Sequence, residues 1–149
     1  MEGFENHVKN ILRKLLEDPV VSLLLDRSCI TKQQFSALIV DIISDNIADR
    51  NLTYEDKAYC MLKPISKGAY NRILIQARRN ITKAFFTILL LSYIGLLDDS
   101  QIAKLIELGE KLRSILEMHR EGIDRSELIK AVARLIESIE EYTHRYPYI

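Results

Sequence analysis

Between residues 66 and 83 the chain gathers side chains that suit a phosphate-rich polymer. Read at 100° per residue, a helix opening at Ser66 puts Tyr70, Ile73, Leu74, Ala77 and Ile81 on one side, fit to pack on a core. Gly68, Arg72, Ile75, Gln76, Arg79 and Lys83 fall on the other, with Asn71 at their edge. Arginine can fork onto guanine, and asparagine or glutamine can pair with adenine through two hydrogen bonds. Ser66 and Lys67 stand at the helix N-terminus, where free backbone amides and the helix dipole favour a phosphate. Arg72 and Gln76 are therefore the expected base readers, and Lys67, Arg79 and Lys83 the expected phosphate contacts.

The charge distribution points the same way. Basic and acidic residues number 21 each, so the formal net charge is zero. The middle of the chain does not share that balance. Residues 57–97 hold Lys57, Lys63, Lys67, Arg72, Arg78, Arg79 and Lys83, and no aspartate or glutamate. At the overall acidic frequency such a stretch should carry about six carboxylates. Their absence suits a polyanion, which lining carboxylates would repel. A buried core also lacks acids, which accounts for 84–97 but not for the cations of 57–83.

Upstream, Thr53-Tyr54-Glu55-Asp56 reads as a capping box with the shorter acid, opening a helix to about Leu62 that Pro64 stops. A turn of three to four residues then leads to the helix at Ser66, the layout of a helix-turn-helix. Ser66-Lys67-Gly68-Ala69, then Leu74, then Ala77-Arg78-Arg79 and Ile81 resembles the recognition-helix region of the sigma-factor C-terminal domain and related regulators. The resemblance covers residues 53–81 and implies that Ser66, Lys67, Asn71, Arg72 and their neighbours face DNA. Ala69 replaces the usual threonine and Tyr70 the usual valine. The turn, Leu62-Lys-Pro-Ile-Ser66, is one residue longer than the family's and lacks its glycine.

Other chemistries find little footing. His7, His119 and His144 sit in no ligand-spaced motif, so no metal is expected. The five glycines are scattered, which leaves no phosphate loop. Asp98-Asp99 and Glu140-Glu141 read as capping or solubilising pairs. Asp41, Asp45 and Asp49 recur every four residues and could hold a cation, although a solvated face is the simpler reading. Cys29 and Cys60 read as buried apolar thiols of a reducing compartment, which points to the cytoplasm. No nucleophile, base and orienting group converge, so neither catalysis nor a cofactor is expected. Tyr142, Tyr146 and Tyr148 cluster around Pro147 without an assignable role.

These residues must be positioned by helices. A chain of 149 residues is the size of one domain and needs no disulfide to stabilise its core. Five glycines and three prolines leave little turn material. Phe4, Val8, Ile11, Leu12, Leu15 and Leu16 make one helical face, ended at Asp18-Pro19; Val20 to Leu25 is a short helix or a buried turn. Thr31 caps a helix over 32–47 that buries Phe35, Leu38, Ile39, Ile42, Ile43 and Ile47. Asp49-Arg50-Asn51 connects to the capping box. From Lys67 to about Tyr93 nothing breaks the helix, and Ala84 to Leu97 is too short and too interrupted to span a bilayer, so it is expected to be the most buried stretch. Asp99 or Ser100 opens a helix to about His119, Gly122 closes it, and Asp124 caps a last helix; this hairpin, over about 100–144, can pack inward or zip with a second copy. The first is striped by Ile102, Leu105, Ile106, Leu108, Leu112, Ile115 and Leu116, the second by Leu128, Ile129, Val132, Leu135, Ile136 and Ile139. The expectation is one all-α domain over 1–149 that binds double-stranded DNA as a transcription regulator, paired as a homodimer through the hairpin, without membrane contact. A helical protein-interaction or RNA-binding module with the same basic face is the alternative.

Overall fold

The computed structural model describes residues 2–47, 51–97, 99–119 and 125–144. Among them it forms seven α-helices and no strand: α1 (Glu2–Glu17), α2 (Pro19–Arg27), α3 (Lys32–Ile47), α4 (Tyr54–Tyr59), α5 (Lys67–Tyr93), α6 (Asp99–His119) and α7 (Arg125–His144). The protein is all-α with a long central helix. It divides into two compact units, Met1–Leu90 and Leu91–Ile149. No helix among the described residues is long and apolar enough to cross a membrane.

Local chemistry fixes the helix starts. Asp18 caps α2, accepting hydrogen bonds from the amides of Val20 (2.8 Å) and Val21 (3.1 Å), with Pro19 in the first turn. Thr31 and Gln34 cap α3 reciprocally: the Gln34 backbone amide donates to the Thr31 hydroxyl oxygen, and the Thr31 backbone amide to the side-chain oxygen Gln34 Oε1. Thr53 and Asp56 close the same box at α4. The amide of Ala69 donates to Ser66 Oγ at 3.2 Å at the start of α5.

The core of the first unit is built from α1, α3, α4, the turn after α4 and the first half of α5. Val8, Leu12, Ala37, Val40, Ala58, Cys60, Met61, Tyr70 and Leu74 are buried together, with Phe4, Leu38, Ile39 and Ile43 packed against them. The α1 face is the one its spacing predicts. The α3 face is turned from its prediction: Ile42 and Ile47 are exposed, while Gln34, Ser36, Ala37, Val40, Asp41 and Ser44 are buried. Small side chains there admit the neighbouring helices closely, and Asp41 is drawn inward by cations described below. Cys29 also departs from expectation, being exposed, whereas Cys60 is buried.

The largest correction concerns Ala84 to Leu97. Expected to be the most buried stretch, it contains no buried residue, and every position from Ala84 to Leu90 is exposed. The core of the first unit closes around Tyr70, Leu74 and Ala77 and leaves the apolar continuation of α5 outside.

In the second unit α5 ends at Tyr93, and just beyond it Gly95, with a φ of 78°, takes the left-handed conformation that glycine adopts without cost. Helices α6 and α7 contact each other. Val132 and Ile136 of α7 are buried; Ile102, Leu108 and Leu112 of α6 are half-buried, while Leu105 and Ile106 are exposed. The expected stop at Gly122, the cap at Asp124, the connector residues Asp49 and Arg50, and the tyrosines Tyr146 and Tyr148 lie outside the described residues.

Candidate nucleic-acid interface

Three ties hold α5 by the side turned away from its basic stripe. The Tyr70 hydroxyl donates to the carbonyl of Ala37 on α3 at 3.1 Å. Arg78 donates to Asp41 Oδ2 on α3 at 2.7 Å. The Asn80 amide donates to the Cys29 carbonyl at 2.9 Å and to Gln34 Oε1 at 3.1 Å. The helix is thus fixed in rotation as well as position.

With α5 so held, Gly68, Arg72, Ile75, Gln76, Arg79 and Lys83 are all exposed, and Tyr70, Leu74 and Ala77 are buried. The wheel read from the sequence is the arrangement observed. Arg72, Gln76, Arg79 and Lys83 share one face over about 16 Å of helix axis. Asn71 is half-buried at its edge. Lys67 is exposed in the first turn, away from the stripe. Ser66 is exposed, with its oxygen engaged as the helix cap.

The seven cations of 57–83 fall into two groups. Lys57 is buried, and its ammonium donates to Asp41 Oδ1 and Asp45 Oδ1, both at 2.8 Å, beneath the Tyr54 ring at 5.9 Å. Arg78 shares Asp41. Two carboxylates therefore answer two cations, and the solvated-face reading is corrected for Asp41, which is buried and holds Lys57 and Arg78; Asp45 is exposed, as that reading has it, while also accepting from Lys57. Burial alone would pull the Lys57 ammonium down, but hydrogen bonds and charge from Asp41 and Asp45 outweigh it and hold it above its ordinary value of 10.5. Burial, reinforced by Asp41, pushes the Tyr70 phenol well above its ordinary value.

Lys63, Lys67, Arg72, Arg79 and Lys83 make up the second group. All are exposed, and none has a carboxylate partner among the described residues. Lys63, on the turn after α4, is the cation the sequence reading left out of the interface. The buried network was partly visible in sequence, since Asp41 and Asp45 sit four apart and Lys57 lies inside a short helix with little room for an unpaired charge.

The link between α4 and α5 is the clearest departure from the expected motif. Helix α4 stops at Tyr59, not Leu62, and residues 60–66 form the connection in place of a three- to four-residue turn. The Cys60 amide donates to Asp56 and Lys57 carbonyls, which closes α4 early, and the Ile65 amide donates to the Ala58 carbonyl, which folds the connection back on it. No cluster of histidine, cysteine, aspartate and glutamate among the described residues is placed to hold a metal. No family model, curated protein or solved structure matches the chain.

Proposed function

We propose that the chain binds double-stranded DNA through the exposed basic face of α5, as a cytoplasmic transcription regulator acting as a pair of identical chains to which the α6–α7 hairpin contributes. One observation carries the reading: after Lys57 and Arg78 are neutralised internally, Lys63, Lys67, Arg72, Arg79 and Lys83 stay exposed and unpaired around one rotationally fixed helix. An α-helix fits the major groove, where Arg72 and Gln76 have base edges within reach of their type of hydrogen bond, and Lys67, Arg79 and Lys83 suit flanking phosphates. Exposed Ile75, within the stripe, suits a thymine methyl. Pairing two chains supports the reading because one helix in one groove seldom binds tightly alone.

The test is a titration of duplex DNA at two salt concentrations, with and without competitor. Three phosphate contacts per chain, six for the pair, give a slope of log affinity against log salt of about −5. Lys83→Ala is expected to weaken binding to every duplex alike and to lower the slope by about one per chain. Arg72→Ala is expected to cost about 1–3 kcal/mol at one base pair and relax the preference there. Equal losses on every duplex for both variants would leave an electrostatic contact without base reading. The long connection of residues 60–66 favours the second reading, a protein-interaction or RNA-binding module, for which duplex DNA binding stays negligible in every variant.

A further inference from the structure

The distal half of α5 exposes Phe85 (66%), Phe86 (68%), Ile88 (38%), Leu89 (66%) and Leu90 (59%). At 100° per residue these five span an arc of roughly 200°, about twice the apolar stripe by which a surface helix docks on its own core. The core of the first unit does not use them. From Ala84 to Leu97 the sequence has no charged residue, so nothing there selects an acidic or a basic partner or repels an identical surface. Taking about 200 Å² for a fully open phenylalanine and a little less for leucine or isoleucine, the five side chains present roughly 550 Å² per chain. That lies at the upper end of what a monomer leaves open. Doubled by a second copy the whole arc comes to about 1,100 Å² at most, the range at which a specific interface begins.

We infer that residues 85–90 of α5 pack against the same residues of a second copy of the chain, across a two-fold axis. The surface is then isologous: each Phe85–Phe86 pair fills the space left by its twin, and one sequence supplies both sides. The inference rests on the two-chain part of the proposed function and is independent of its DNA part. It adds an interface outside the hairpin.

The test is sedimentation of the full chain over a hundredfold concentration range without nucleic acid. The expected result is a dimer. Phe86→Glu and Leu89→Glu, both at exposed positions, should each weaken association at least tenfold with helical circular dichroism unchanged, whereas Ile42→Glu, at an exposed apolar site on α3, should not. A monomer throughout overturns the inference, whether the patch is then covered by the chain's own helices or by a lipid surface. A dimer indifferent to both α5 substitutions but broken by Ile106→Glu overturns it too and leaves the hairpin pairing standing. Should the charged variants lose their helicity, a spin label on exposed Thr82→Cys, one turn before Phe86 and on the same side of α5, in a Cys29→Ser background decides. Strong dipolar broadening between labels is expected, and its absence in a dimer overturns the inference. None of these results bears on DNA affinity, which the salt titration measures separately.

Discussion

Asp41 is the side chain on which most of the first unit's electrostatics converge. One of its oxygens takes the Lys57 ammonium and the other the Arg78 guanidinium. Asp41→Ala leaves the buried Lys57 with Asp45 alone and Arg78 to solvent, so it is expected to lower unfolding free energy by about 1–3 kcal/mol in urea denaturation. Glu107→Ala, which removes the exposed Glu107–Lys111 pair on α6, should leave it unchanged. The same region sets an alkaline limit. The Cys60 thiol, raised first by burial and then by Glu5, the Tyr70 phenol and the Lys57 ammonium all hold their protons more tightly folded than unfolded. The unfolded chain therefore releases protons first, and stability falls as pH rises. The stabilisation is whole below the ordinary values of 9.0, 10.0 and 10.5 and is lost in that order above them. Urea midpoints between pH 7 and 11 should be flat to about pH 9 and then fall; Tyr70→Phe should flatten part of the fall.

Helix starts are where sequence and structure agree best, because a cap is made by residues three apart that carry their chemistry with them. Thr31, Thr53 and Ser66 each open the helix their spacing predicts, and Asp18-Pro19, read from sequence only as the end of α1, also caps α2. Thr53→Ala is expected to cost about 1 kcal/mol, read as a shift in urea midpoint with unchanged slope, since the Asp56 amide loses its acceptor and the Asp56 carboxylate loses the Thr53 hydroxyl. The basic wheel of α5 was legible for a similar reason, since its charged and apolar positions separate cleanly around the helix. The buried face of α3 was not. Apolar periodicity favours Ile42 and Ile47, but Asp41 must face Lys57, and the small residues Ser36, Ala37 and Ser44 let the neighbours approach. Nor was the fate of 84–97 legible. An apolar run declares that it needs cover, but where the core of its own unit closes depends on contacts between residues far apart in sequence, such as Tyr70 with Ala37. The early stop of α4 at Tyr59 belongs to the same class, because Cys60 and Met61 are buried in the core from the turn rather than from the helix.

Across the whole chain, the first unit closes its core before α5 leaves it. All nine residues of its buried cluster precede residue 75. A fragment ending at Lys83 should therefore fold alone, with cooperative unfolding, the same alkaline fall in stability and no self-association; a molten fragment without a cooperative transition would contradict that division. Helix α5 nevertheless carries two surfaces along one unbroken axis, the cationic stripe to Lys83 and the apolar arc from Phe85. Their relative bearing is a matter of residue count alone, as with two cams keyed to one shaft. Inserting one alanine between Lys83 and Ala84 turns the cams about 100° apart, and seven bring them back to within about 20° while adding about 10 Å of shaft. If paired chains read DNA together, the single insertion should abolish cooperative binding to a two-part site. The seven-residue insertion should restore it on a site whose halves lie further apart, so the helix itself is the ruler by which the spacing of the target is measured.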